Sequence, residues 1–255
     1  LKEIVGDLKN FNLNNINFDF VLHMAGNKSW EDIVAGTKNL IKNLSQQGGH
    51  AGPPLRLHSG MGKRAAPRIL FTSSGAVYGK KSRTDQPVSE NLQPDLLGAD
   101  WYSKAKITAE NLLLDFKNNN KNFDLIIARC FAFYGYGQPI NQGFAVADMC
   151  DSARKNKKIK IKNINTVRSF MHIGDLVRAL FFLLLSPEKN SDQTQSEIYN
   201  IGGEHPENIV KTAEKISKTY PAEILLSNTP DNSSSLNYYV PDIKKLKALG
   251  FVERF

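Results

Sequence analysis

Three short apolar runs, Phe18–Ala25, Ile69–Ser73 and Phe123–Ala128, each give way to small or polar residues. A run of this length without strict alternation is the pattern of a strand buried on both faces, as in a parallel sheet. Between and after them, the sequence predicts helices over residues 30 to 43, 101 to 116, 144–155, 174–185 and 207–218. Shorter strand-like runs fall at 158–161 and 198–201. Strands alternating with helices imply α/β units built on a parallel sheet. Ligands of such sheets sit beyond the carboxyl ends of the strands. Three strand ends therefore matter most: Met24–Gly26, Thr72–Gly75 and Cys130–Phe133.

The chain has 255 residues, 41% of them hydrophobic, enough for one large domain or a domain with a small appendage. No apolar run approaches the roughly 18 residues of a membrane span, so no membrane is expected as a partner. Cys130 and Cys150 form neither a disulfide framework nor a metal motif; two buried thiols in a reducing, cytoplasmic setting are expected. The formal charge is +8, concentrated in Arg154–Lys162. The second half of that block alternates Lys with Ile, predicting a half-exposed strand. A solvated face, a rim that attracts phosphate and a nucleic-acid surface are the alternatives. With no aromatic residues interleaved, nucleic acid is not an expected partner. Residues 48–67 are rich in Gly and Pro and read as a loop or insertion carrying Arg56, Lys63 and Arg64. Leu1–Asp7 reads as the middle of a domain, with no signal peptide.

Tyr102 and Lys106 are four residues apart on a predicted helix, hence on one face. An ammonium beside a phenol stabilises the phenolate, and the pair can then move a proton to or from a sugar hydroxyl. The alternative is a half-buried tyrosine beside a snorkelling lysine. Ser73 and Ser74 lie just past a strand, where a hydroxyl can polarise a substrate oxygen or bond to its own turn. Ala25 and Gly26 leave room for a ligand or for tight packing. Asp7 is suited to a hydroxyl or amine of adenosine, or to a solvated turn. Arg168 is a natural bidentate partner of phosphate. Asp175 suits the N-terminus of the helix it opens. His172 reads as part of a strand-like turn and His23 as part of a core strand. No His, Cys, Asp or Glu cluster has metal-ligand spacing, and no metal is expected.

Taken together, these stretches resemble the extended short-chain dehydrogenase/reductase group, and within it the NAD-dependent epimerase/dehydratase family that acts on nucleotide sugars. The resemblance is carried by Thr72-Ser73-Ser74-Gly75-Ala76-Val77-Tyr78-Gly79 and by Tyr102, Lys106 and Glu110. Gly6-Asp7, His23–Gly26, Gly36–Leu40, Ala128–Gly135, Arg168–Asp175, Tyr199–Gly202 and the stretch from Asp242 to Gly250 follow in the family's order. It implies a Rossmann-like, doubly wound parallel sheet with a small C-terminal α/β substrate-binding region. The expected division is 1–136 for the NAD(P)-binding part with the catalytic residues and 137–255 for the substrate part, with 163–185 returning to the core. It further implies NAD or NADP as cofactor, Ser74, Tyr102 and Lys106 as catalytic residues, and Asp7, Ala25, Gly26, Ser73, Tyr102, Lys106 and Phe131 at the cofactor. Ser74, Gly75, Ala132 and Arg168 would touch the substrate, with Arg168 on the diphosphate. The implied activity is epimerisation or reduction of a nucleotide sugar by hydride transfer, in a homodimer. A non-catalytic cofactor-binding regulator and a reductase of a non-nucleotide carbonyl compound are the alternatives.

The departures from the family pattern are specific. The family opens with a strand and a glycine-rich turn that cradles the cofactor pyrophosphate, which this sequence does not contain, so an upstream extension is expected. Gly75-Ala76 stands where 4,6-dehydratases resemble one another in carrying an Asp-Glu acid/base pair, which disfavours dehydration. Ala105 replaces a usual serine and Ala132 a usual asparagine.

Overall fold

The computed structural model describes residues 9–12, 18–24, 29–46, 67–82, 85–120, 123–186, 197–226 and 237–255. In chain order the elements are β1 (Phe20–His23), α1 (Trp30–Gln46), β2 (Arg68–Ser74), α2 (Trp101–Asn119), β3 (Asp124–Cys130), β4 (Phe133–Tyr134), α3 (Ala145–Asn156) and β5 (Lys158–Ile161). They continue with β6 (Thr166–Arg168), β7 (Met171–His172), α4 (Ile173–Leu185), β8 (Glu197–Ile201), β9 (Glu207–Asn208), α5 (Ile209–Thr219), β10 (Glu223–Leu226), β11 (Asn237–Tyr239) and α6 (Lys244–Lys247). The chain divides into two compact units. The first is Leu1–Gly79, Pro94–Arg129 and Leu180–Tyr199; the second is Lys80–Gln93, Cys130–Ala179 and Asn200–Phe255.

The first unit is organised by a four-stranded sheet of order β1-β2-β3-β8, a Rossmann-like core with flanking helices. β1 and β2 run parallel, with Phe20 opposite Arg68 and His23 opposite Phe71. Alternate residues of a strand point to one face. Ile69 and Phe71 of β2 and Leu125 and Ile127 of β3 accordingly enter one cluster with Ile33 and Leu44 of α1 and Ala105, Ala109 and Leu113 of α2. The two alanines let α2 approach closely. That helix starts at the N-cap Asp100, whose carboxylate accepts the Ser103 N–H at 2.7 Å. Asn120 closes it, as the Asn118–Asn120 run leads one to expect, with its side-chain amide donating to Phe116 O.

Arg68, almost fully buried at the start of β2, ties the sheet to a helix end. Its Nε meets Asp124 Oδ2 at 2.5 Å. Its Nη1 donates to the carbonyls of Leu183, Leu184 and Ser186 at the end of α4. A cation there satisfies carbonyls that lack helical partners and meets the negative end of the helix dipole.

In the second unit β5 pairs parallel with β10, and β6 lies between β11 and β9. Ile159 and Ile161 point inward against α3 and α5 while Lys158 and Lys160 face solvent, as the alternation predicts. The helix expected from residue 207 begins at Ile209. Glu207 and Asn208 pair instead with β6, and the Asn208 side chain caps the Val210 N–H at 2.8 Å. Fully buried Asn200 receives its partners from distant segments: its N–H goes to the Glu90 carboxylate and its amide to Val88 O. Gly202 is required by packing, since a Cβ there would meet Pro241 at 2.7 Å. Asp175 does more than open α4: its buried carboxylate accepts the backbone N–H groups of Arg254 and Phe255 and pairs with Arg178. Burial alone would raise its pKa, but these donors prevail and hold it below the usual carboxylate value. Among the described residues no helix is long and apolar enough to cross a membrane.

Replacing Arg68 by Met keeps its length but removes its hydrogen bonds to the carbonyls at the end of α4 and its pairing with Asp124. Loss of roughly 2–4 kcal/mol is expected, read as a lower urea midpoint; an unchanged midpoint would show that water serves those carbonyls equally well.

Candidate functional site

The carboxyl end of β2 and one face of α2 form the candidate site in the first unit. Tyr102, Lys106 and Glu110 follow at four-residue intervals and so share a helical face. Glu110 and Lys106 are buried and Tyr102 is partly exposed. Lys106 Nζ donates to Thr72 O at 2.7 Å, two residues before Ser74. Its ammonium lies 5.1 Å from the Phe71 ring centroid and 5.7 Å from that of Tyr102. One turn further on, Glu110 Oε1 accepts the Ser73 hydroxyl at 2.5 Å. The helix face that bears Tyr102 is thus pinned to the strand that bears Ser74 at two successive levels.

Glu110 also forms a bidentate pair with Arg129 of β3, at 3.1 Å to Nε and 2.7 Å to Nη2. The Arg129 guanidinium lies 4.8 Å from the Tyr78 ring centroid. Burial would lower the Arg129 pKa, but Glu110 and Tyr78 outweigh it and raise it, so the cation is secure. Ser73 therefore directs its hydroxyl into this core network. Ser74 Oγ accepts the Ala76 N–H at 3.2 Å. This local turn bond orients the oxygen and employs only a lone pair.

His23, at the end of β1, is neutral by construction of its surroundings. Its Nε2 lies 2.9 Å from Thr37 Oγ1, and that hydroxyl donates to Ile33 O at 2.8 Å. The threonine proton being committed, Nε2 must carry the hydrogen of the imidazole. Burial first, and the Lys106 charge second, lower the His23 pKa to about 4.

In the second unit Arg168 ends β6. Its Nη1 donates to Val167 O and Asn237 O, each at 2.8 Å, and its Nη2 to Asn237 Oδ1 at 3.2 Å. The guanidinium carbon lies 5.3 Å from the Tyr239 ring centroid. Tyr239 in turn contacts Phe131, with centroids 4.6 Å apart. Phe131 is buried, and its N–H donates to Ile201 O. Ala132 offers its carbonyl to the Met171 N–H. His172 lies between Tyr134 and Phe255, and its Nδ1 accepts the Gly174 N–H, an arrangement that shapes the start of α4.

The structure brings Lys106 beside the Tyr102 ring and anchors it to β2 two residues before Ser74, all in the first unit; Arg168, Phe131 and Ala132 belong to the second. Gly75 opens the 3₁₀ turn (Gly75–Ser82) directly after Ser74. Asp7, Ala25, Gly26 and all but the last residue of the 48–67 loop lie outside the described residues. The roles of Arg129, Thr37, Asn237 and Tyr239 were missed from sequence. Arg129 had a usable signal, since a charge inside an apolar strand must find a partner. Cys130 and Cys150 form no disulfide with each other and are only partly buried, a correction to the expectation of buried thiols. Among the described residues no group of His, Cys, Asp or Glu could hold a metal ion.

Comparison with known proteins gives a consistent result. The model of the NAD dependent epimerase/dehydratase family matches residues 6–202. The chain is 30% identical over 195 residues to UDP-glucuronic acid decarboxylase 6 of Arabidopsis thaliana, covering 74% of this chain and 53% of that protein. It is 27% identical over 197 residues to ADP-L-glycero-D-manno-heptose-6-epimerase of Brachyspira hyodysenteriae, covering 74% and 58%. The chain therefore spans about half the length of the curated relatives it matches. The solved structure of dTDP-glucose 4,6-dehydratase from Bacillus anthracis in complex with NAD matches with a TM-score of 0.73 at 18% identity, over 98% of this chain and 74% of that one. At that identity the likeness concerns the fold.

The lowered His23 pKa sets a pH dependence of stability. Between the ordinary value of 6.5 and about 4, the unfolded chain binds a proton that the folded chain refuses. Stability therefore falls as pH falls through this window and levels off below it, by about 3 kcal/mol in all. Urea midpoints measured from pH 7 to 4 should show the slope in wild type and its loss in His23→Gln. Equal slopes would mean that His23 titrates normally.

Proposed function

Because the chain belongs to the NAD dependent epimerase/dehydratase family, we propose that it acts with NAD or NADP on a nucleotide-activated sugar, as an epimerase or a reductase at a sugar hydroxyl or keto carbon. The observation that carries this reading is the fixed placement of Tyr102 by Lys106 and Glu110, which bond to Thr72 and Ser73 immediately before Ser74. The donor chemistry fits the cofactor: a buried, well-anchored ammonium at Lys106 suits the hydroxyls of a ribose. When bound, NAD(P) supplies the centre that accepts and returns a hydride.

Tyr102 takes the proton from the sugar hydroxyl as its carbon is oxidised and returns it on reduction. Lys106 stabilises the negative charge that develops on the phenol oxygen as the proton leaves. Ser74, its oxygen oriented by the Ala76 N–H, donates its hydroxyl proton to the same substrate oxygen. Gly75 and Ala132 keep side-chain bulk away from the sugar, and Arg168 takes the diphosphate. Ser73 and Phe131 contribute at the cofactor through backbone and position, with Asp7, Ala25 and Gly26 in the same proposed set. A homodimer and a cytoplasmic setting complete the proposal; two cysteines that are not joined in a disulfide agree with the latter.

A second reading has its own support. The relative from Arabidopsis thaliana is a UDP-glucuronic acid decarboxylase. Oxidation of a hexuronic acid at C4 puts a ketone β to the carboxylate, so carbon dioxide can leave without the acid/base pair that Gly75-Ala76 lacks. UDP-glucuronic acid is therefore the substrate to test first, with UDP-glucose beside it.

The protein is incubated with NAD and each nucleotide sugar, and products are identified by mass and by NMR. Tyr102→Phe keeps the ring and its packing but removes the proton carrier, and turnover should fall roughly 10²–10⁴-fold. A folded Tyr102→Phe protein with wild-type turnover would end this reading. A 4-keto-6-deoxy product from UDP-glucose would overturn the argument from Gly75-Ala76.

A further inference from the structure

Arg168 is held by neighbours that come from strand register. β6 and β11 run parallel, with Tyr239 opposite Arg168 and Asn237 opposite Thr166. Residues two apart on a strand share a face, so Asn237 and Tyr239 flank the guanidinium from one neighbouring strand. Asn237 offers two acceptors, its main-chain and side-chain carbonyls, to Nη1 and Nη2. Tyr239 offers its ring face, and Phe131 backs that ring. On the other side of β6, Glu207 stands opposite Arg168 in register. Its carboxylate is engaged by Thr212 at 3.0 Å and by Lys215, which together hold its pKa low against the opposing effect of burial.

We propose that Asn237 and Tyr239 are positioning residues for Arg168, fixing its guanidinium in one orientation to receive the diphosphate of a nucleotide sugar. The inference rests on the diphosphate role proposed above for Arg168. An arginine side chain loses much rotamer freedom on binding, and a site that has already ordered it binds more tightly. Neutral acceptors are the suitable means. They order the cation without cancelling the charge that attracts phosphate, whereas a carboxylate at Asn237 would compete with the ligand.

UDP titration by calorimetry tests this. Asn237→Leu and Tyr239→Leu should each weaken UDP binding roughly five- to tenfold, while Tyr239→Phe should bind as wild type does. Asn237→Asp, equal in shape, should weaken binding at least as much as Asn237→Leu, and more strongly at low salt. In an Arg168→Ala background neither Leu substitution should cause a further loss, the mark of action through Arg168 rather than through the fold. Additive losses, or wild-type affinity in the Asn237 and Tyr239 variants while Arg168→Ala is impaired, would overturn the positioning role alone. Unchanged affinity in Arg168→Ala would overturn the diphosphate role and this inference with it. Should Asn237→Leu not fold, Asn237→Asp carries the test, and wild-type affinity there overturns the proposal.

Discussion

The first unit depends on one buried ion pair, Glu110 with Arg129. Two charges removed from water repay their desolvation only with good geometry and further hydrogen bonds. Here the guanidinium meets the carboxylate through two nitrogens, the Ser73 hydroxyl completes Glu110, and the Tyr78 ring faces Arg129. An apolar substitute of equal volume could fill the same space, but it would not specify register. The pair links α2 to β3, and Ser73 links both to β2. A slip of β2 by one residue would turn Ser73 outward and leave a carboxylate short of a donor.

The second unit reaches the same end with different chemistry. Its long-range ties are amide and carboxylate groups that collect backbone partners from far along the chain. Asn200 joins β8 to Val88 and Glu90, and Asp175 joins α4 to Arg254 and Phe255. Such ties suit segments too irregular to form ladders. The short strands β4 and β7 have only two residues each, so most of their main-chain groups must find partners elsewhere.

What could be read from sequence follows from this contrast. β2, β3, α1 and α2 were legible because burial on both faces or on one stripe leaves a period in the residue types. β5 was legible from the alternation of Lys and Ile. β4, β7 and β9 were not, because two residues carry no period, and β6, β10 and β11 become strands only through partners distant in sequence. The sequence pattern sets the start of α5 two residues early, since Glu207 suits a helix until β6 is there to pair with it. At the candidate site, spacing and family resemblance single out Tyr102, Lys106 and Ser74. The contacts of Asn237 and Tyr239 with Arg168 are not marked there, since nothing local reveals a pairing made by the register of a neighbouring strand.

The face of α2 carries one graded pattern. Glu110, Lys106 and Tyr102 lie on a line that runs from the core toward partial exposure. Glu110 is wholly committed to the fold. Lys106 is intermediate, anchored to Thr72 O while its charge lies near the Tyr102 ring. Tyr102, the most exposed of the three, is placed by the other two. The four-residue spacing puts the three groups on one face and gives the Tyr102 end of the helix a rigid mooring one and two turns away. Loss of the mooring would leave the phenol present but its place no longer set by the hydrogen bonds of Glu110 and Lys106 to β2.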